Sequence, residues 1–330
     1  MLRILLSFTV ALILSSCVFA QELPQTVRLP WNPEAGENGK PVMVHPNRPD
    51  VLRANPFLRE YWHLTNHYFY PKNSSGYIYS QGIDVRRFQE QYIDNEERRY
   101  KLDDHDKVKY RDMVLNLEML KLYKTDNPDW WDWTQQYINI ARMTKAIGKP
   151  VAIYGTHHTG GAEFQVWYNI GRFEYLLDPE RNPNYDQRYV AKWEGKLKEY
   201  KQKETNLISR LEQIRNRMDD SMDAVVLSCY MAYNVPSLDS YQWHAYKSYL
   251  QQCVSAYSLL YPNKPIYVFI QPSFPFSKPE KFMPMPNEVW NATLKEVYEN
   301  KDVDRIYIFS LLSAEMPESF FDSLTYGPSE

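Results

Sequence analysis

Val114-Leu115-Asn116-Leu117-Glu118-Met119 is a short apolar run that ends in an amide and a carboxylate two positions apart. With Met113 in front of it, the run reads as a buried strand. Residues i and i+2 of a strand share a face, so Asn116 and Glu118 project side by side, about 7 Å apart at the backbone. Burying both is costly unless a ligand, a charge partner or water satisfies them. A strand that ends this way opens into a polar cleft, and the pair predicts a site in which Glu118 acts as an acid.

Outward from that run, short apolar strands alternate with longer helical patterns. Pro41 to His45, Met113 to Glu118, Pro150 to Thr156, Ala224 to Met231, Pro265 to Gln271 and Arg305 to Leu311 are clear strand candidates, and Gly76 to Ser80 and Glu163 to Ile170 weaker ones. Asn127-Pro128 ahead of Trp130 is a cap with proline at the helix start, and Gly148-Lys149-Pro150 closes that helix. Further helices are expected over Ser240 to Leu260 and Pro286 to Glu299. Such alternation around continuous apolar strands argues for an α/β fold with a parallel sheet and helices outside. Six to eight units in one chain point to a (β/α)8-like TIM barrel, irregular, with seven or eight strands. One long extra helix, about residues 188–219, breaks the pattern. Its stripe of Trp193, Leu197, Tyr200, Glu204, Leu207, Leu211, Ile214 and Met218 steps by four and three, interrupted at Glu204. A long barrel helix or a helical arm packed on the barrel is expected ahead of an intermolecular coiled coil, because the stripe is short.

Residues 1–20 have the layout of a secretory signal, with Arg3, an apolar run from Ile4 to Leu14, and small residues. Two processing sites compete. Val18-Phe19-Ala20 before Gln21 resembles a signal-peptidase site, whereas Leu14-Ser15-Ser16-Cys17 resembles a lipobox that would tether the protein to a membrane through Cys17. Secretion, a periplasmic location or an outer-surface location is expected. Residues 21–330 read as a single barrel domain. The net charge of −3 gives no case for nucleic acid. Aromatic residues make up 15% of the chain, which fits a large aromatic core or a cleft lined with sugar-stacking rings. Cys229 and Cys253 are expected as two free, buried thiols, because a helix starting near Ser240 puts Cys253 roughly 20 Å along its axis. A disulfide needs Cα atoms within about 7 Å.

In a barrel the chemistry lies at the carboxyl ends of the strands. Those ends carry, in order, His45; Asn116 and Glu118; Tyr154, His157 and His158; Tyr230, Met231, Tyr233 and Asn234; Gln271 and Ser273; and Ser310. Nearly every end is polar or aromatic while the strand interiors are aliphatic, and this recurrence marks an active face. Glu118 is the one obvious carboxylate among them. Most glycosidases need two carboxylates, but a single one beside an amide fits substrate-assisted catalysis, in which the sugar's 2-acetamido oxygen attacks the anomeric carbon. Glu118 then protonates the leaving oxygen, Asn116 holds the acetamido group, and a nearby tyrosine hydroxyl donates to it as charge develops. His45, Tyr154, His158, Tyr230, Gln271 and Ser273 are the expected substrate contacts. His157-His158 with Glu163 lacks a third histidine at ligand spacing for zinc, and neither metal nor cofactor is expected. The partner is a polysaccharide or glycan. Two other readings stay open: Glu118 as a structural rim carboxylate in a barrel that only binds carbohydrate, or a second catalytic acid on a loop, at Asp178 or Asp239.

Asn116-Leu117-Glu118, Pro150-Val151-Ala152-Ile153-Tyr154-Gly155, Met231-Ala232-Tyr233-Asn234 and Pro265-Ile266-Tyr267-Val268-Phe269 stand in an order that resembles the hyaluronidase and chitinase-like glycosidases. Those families carry an Asp-x-Glu pair at a strand end and, in chitinases, a Met-x-Tyr-Asp motif. The resemblance implies a (β/α) barrel, hydrolysis of N-acetylhexosamine-containing glycans with retention, and a role for Tyr233 at the acetamido group. Asn116 replaces the usual Asp, and the Asn-x-Glu pair is similar to that of endo-β-N-acetylglucosaminidases acting on N-glycans.

Overall fold

The computed structural model describes residues 42–44, 58–64, 69–77, 82–88, 90, 112–116, 120, 124–146, 151–154, 162–271 and 285–308. The fold is mixed α/β, built on a parallel sheet. Strands β1 (Val42–Val44), β2 (Leu58–Leu64), β5 (Asp112–Asn116), β6 (Val151–Tyr154), β7 (Ala224–Ser228), β8 (Ile266–Ile270) and β9 (Arg305–Ile308) lie side by side in chain order. Every adjacent pair is parallel, and β9 pairs back onto β1 through Met43 and Tyr307, so the sheet closes on itself. Two further strands, β3 (Lys72–Asn73) and β4 (Gly76–Tyr77), form a separate antiparallel hairpin. Gly76 to Ser80 was expected as a weaker strand. Its first two residues belong to this hairpin, because Asn73 turns the chain back by accepting from the Ser75 N–H.

Alternation along the strands sorts side chains into two cores. Val114, Ala152, Ala224, Val226, Tyr230, Tyr267, Phe269 and Tyr307 cluster inside the closed sheet. Leu115, Val151, Val225, Leu227, Ile266, Val268, Ile270, Ile306 and Ile308 face outward into a second core shared with the helices. Phe269 stacks on Tyr307 at 4.7 Å between centroids, and Tyr267 packs tilted against it at 5.5 Å. Much of the aromatic content is therefore structural filling. At the amino-terminal end of the sheet two aspartates latch neighbouring strands. Asp223 accepts from the Val151 N–H at 2.8 Å and Asp304 from the Ile266 N–H at 2.7 Å.

The helices are α1 (Trp130–Ala146), α2 (Ala162–Leu177), α3 (Val190–Met218), α4 (Tyr241–Leu260) and α5 (Asn287–Glu299). Glu163 to Ile170, expected as a weak strand, is the first half of α2. Phe164, Val166, Trp167, Tyr168 and Ile170 are all buried because α2 is wedged between α3 and α4. A helix covered on two sides loses the one-sided stripe that would reveal its period.

Contacts give the directions. Tyr246 and Tyr249 of α4 donate their hydroxyls to the Cys229 and Ser228 carbonyls at the carboxyl end of β7, while Lys264, beyond the end of α4, donates to the Met222 carbonyl at its start. Thus α4 descends along the sheet. Glu163 meets Tyr257, Phe164 meets Tyr249, and Tyr175 meets His244, so α2 runs the opposite way and climbs. Trp167 meets Glu204 and Phe173 meets Tyr200, so α3 comes back down beside it. The crossover from β6 to β7 is a helical hairpin whose far end stands above the carboxyl rim of the sheet. The stripe on α3 is consumed within the chain, against α2, as a packed arm.

Cys229 and Cys253 are free and buried, but the argument from distance fails. The segment 229–240 climbs before α4 begins, so about 18 Å of descending helix brings Cys253 back to the strand end. Cys253 lies near enough to Cys229 to interact with it, and burial, foremost, pushes the Cys253 thiol well above its ordinary pKa. Cys17 and the rest of residues 1–20 lie outside the described residues. Among the described residues no helix is long and apolar enough to cross a membrane.

Candidate functional site

Asn116 is the last residue of β5 and is paired in register with Tyr154, the last residue of β6. The same row continues across the sheet through Val226 and Tyr267. Position 116 has the parity of Val114, and position 154 that of Ala152, both in the interior cluster. The two positions therefore sit together at the carboxyl edge on the inward face. Tyr230, two turns of the pleat beyond Val226, lies in the interior cluster and is 9% exposed. Gln271, with the parity of Phe269, follows β8 and is buried. Four of the expected site positions, Asn116, Tyr154, Tyr230 and Gln271, thus gather at one end of one sheet. Glu118, His45, His157, His158, Ser273 and Ser310 lie outside the described residues.

Tyr233 belongs to a different wall. It follows β7 and packs against α2, with its ring 5.4 Å from Phe164 and 5.0 Å from Tyr168. It is 40% exposed, and its oxygen accepts from Gln165 Nε2 at 3.0 Å. Asn169 donates its Nδ2 to the Gln165 backbone carbonyl at 2.6 Å and lies 3.5 Å from the Gln165 Oε1. With an acceptor position filled by Gln165, the phenolic proton of Tyr233 is left to donate outward. Phe164 also makes an edge contact with Tyr249 at 4.9 Å, so the Tyr233 platform is braced on the tyrosines that cap β7. Burial, foremost, pushes the Tyr246 and Tyr249 phenols well above their ordinary range, which keeps them donors to those carbonyls.

Glu163 is buried, and its Oε1 accepts from the Tyr257 hydroxyl at 2.7 Å. Among the described residues no group of three or more His, Cys, Asp or Glu could hold a metal ion. Asp178 caps the turn after α2, accepting from the Glu180 N–H at 2.9 Å and pairing with Arg181 at 2.7 Å. Asp239 is exposed just ahead of α4. Trp130 packs inward, and Trp131 is exposed beneath the Arg217 guanidinium, 4.7 Å from the ring centroid.

Sequence reading missed β2 altogether. Its residues Leu58-Arg59-Glu60-Tyr61-Trp62-His63-Leu64 pair with β1 and β5. His63 is in register with Val114 and Tyr61 with Asp112, which places positions 61 and 63 on the inward parity beside the strand of Asn116. The segment carries no continuous apolar run, because Arg59, Glu60 and His63 interrupt Leu58, Tyr61, Trp62 and Leu64.

Compared with family models, curated proteins and solved structures, the chain matches none.

Proposed function

We propose that the protein is an exported glycoside hydrolase on an irregular (β/α)8-like TIM barrel, acting on N-acetylhexosamine-containing glycans by retaining, substrate-assisted hydrolysis. The observation that supports this most is the in-register pair Asn116 and Tyr154 at the carboxyl edge of the parallel sheet, the end at which barrels place their chemistry. Glu118, two residues beyond Asn116, is the proposed acid and then base. In this reading Asn116 positions the acetamido group, which attacks the anomeric carbon as Glu118 protonates the leaving oxygen. Water, deprotonated by Glu118, then opens the cyclic intermediate with net retention. Tyr233 donates from the arm side to the same acetamido group, and Tyr154, Tyr230 and Gln271 line the floor.

Glu118→Gln is expected to lower hydrolysis of an N-acetylhexosaminide by about 10²–10⁴-fold while glycan binding persists. Activity that survives this change would refute the acid assignment. A thiazoline, which mimics the cyclised intermediate, should inhibit this enzyme and leave a two-carboxylate glycosidase using Asp239 untouched. Wild-type protein that binds glycans and never cleaves them would identify a carbohydrate-binding barrel instead. Mass measurement of the exported chain's amino terminus decides between a lipidated Cys17 and cleavage after Ala20.

A further inference from the structure

Arg172 lies on α2 one helical turn beyond Tyr168, on the part of the arm that stands above the sheet. Its guanidinium rests against two rings, with Cζ 5.2 Å from the Tyr241 centroid and 5.7 Å from that of Phe173. The Nε atom is buried and reaches no acceptor, and among the described residues no carboxylate pairs with the side chain. Arginine stays charged at any physiological pH and carries five donors in a rigid fork. Aromatic faces steady such a cation but do not satisfy an in-plane N–H. A buried donor left without an acceptor is costly, and in a native structure it asks for an explanation.

The surroundings favour an oxygen anion as the missing partner. Tyr241 stands in the first turn of α4, a 20-residue helix, so the positive end of its dipole adds to the guanidinium charge. Tyr168, between Arg172 and Tyr233, is held as a neutral phenol because burial, foremost, raises its pKa far above the ordinary value. Glu174, two residues along α2, pairs with Lys201 at 3.5 Å, and Asp239 is exposed ahead of the Ser240 cap. Below Arg172 the half-exposed Tyr233 ring lies 5.0 Å from Tyr168, which sets a stacking surface and a cation on one flank of the arm, leading away from the rim.

We propose that Arg172 is an anion subsite that takes a carboxylate or sulfate-ester oxygen from a glycan whose neighbouring ring rests on Tyr233. The proposal deepens the glycan reading above and rests on it for the identity of the ligand. Binding of three oligosaccharides with a common N-acetylhexosamine backbone, one neutral, one bearing uronate and one bearing sulfate esters, is compared by calorimetry on the full protein. Wild type should bind one acidic form about tenfold more tightly than the neutral one, from a charge-assisted bidentate contact. The preference should shrink as salt rises and fall to about one in Arg172→Met, which keeps an apolar stem against the rings. Arg172→Lys, which keeps the charge but not the fork, should retain only part of it. Whichever acidic form carries the preference identifies the source of the anion. Equal binding of all three by wild type, or a preference that persists in Arg172→Met, overturns the proposal. If no oligosaccharide binds, the glycan reading fails, and inorganic sulfate decides the subsite separately. A rise in the unfolding midpoint with sulfate over chloride at equal ionic strength, absent in Arg172→Met, supports the anion site, and no such difference overturns it.

Discussion

Trp167 donates its indole N–H to Glu204 Oε1 at 2.8 Å, and this bond keys the two helices of the arm together. Trp167 is 1% exposed, so its donor has no route to bulk water. The one polar interruption in the α3 stripe is therefore the acceptor that the facing helix requires.

Glu204→Ala should destabilise the protein by about 1–3 kcal/mol, the cost of leaving a buried donor unmade, whereas Glu204→Gln, which keeps an acceptor at the same reach, should recover most of it. Urea unfolding of both variants checks this. Equal stability of the two would show that the bond contributes nothing.

Gly171 marks the closest approach of α2 and α4. A Cβ placed there would lie 2.4 Å from Ser248 Cβ and 3.3 Å from the Ala245 carbonyl oxygen. Gly171→Ala therefore forces the helices apart and should cost about 1–3 kcal/mol, although alanine is the better helix former. Ser248→Gly removes the clashing atom, so the double variant should be more stable than the sum of the single effects predicts. Additive losses would place the contact elsewhere.

His244 stacks on Tyr175 with ring centroids 4.8 Å apart. Burial, and then the charges of Arg181 and Lys247, hold its pKa below the ordinary 6.5, against the smaller opposing influence of Asp239. The unfolded chain takes up this proton more readily than the folded one. The stability contribution is thus complete above about pH 6.5 and is lost as the pH falls through the lower folded value. Unfolding free energies measured from pH 7.5 downward should show this loss, and His244→Phe, which keeps the stack, should flatten it. An unchanged slope in the variant would assign the pH dependence to other groups.

For the proposed hydrolysis, Tyr233→Phe should lower kcat by about 10²-fold, the scale of losing one donor to a developing negative charge. Gln165→Leu, which removes the group that orients the phenol but not the phenol itself, should have a smaller effect of the same kind. Steady-state kinetics on an N-acetylhexosaminide decides this. A Tyr233→Phe variant with wild-type kcat would make Tyr233 a packing residue of the arm.

The parts of the site that were legible in sequence are those that depend on strand parity. Asn116, Tyr230 and Gln271 were singled out as polar or aromatic ends of aliphatic runs, and the sheet brings their positions to one edge. Tyr233 was read beside them, but it sits against α2 through Gln165, a residue in a segment that had been read as a strand. Arg172 was invisible for the same reason: only the folding of 162–177 as a climbing helix sets it between Phe173 and Tyr241.

The chain by itself determined what is local. Ser240 accepts from the Trp243 N–H and starts α4 where a cap residue should, the step of three and four along Leu207, Leu211, Ile214 and Met218 makes α3 a long helix with one buried side, and β7 and β8 are apolar because both of their faces are covered. The tertiary structure alone decided which surfaces meet. It made a helix of Glu163 to Ile170, a sheet strand of Leu58 to Leu64, and a neighbour of Cys229 out of Cys253. Periodicity reports the conformation of a segment through neighbours two to four residues away. The partner of each face is set by residues that are remote in sequence, and the free energy of burying one face against another exists only once both are assembled.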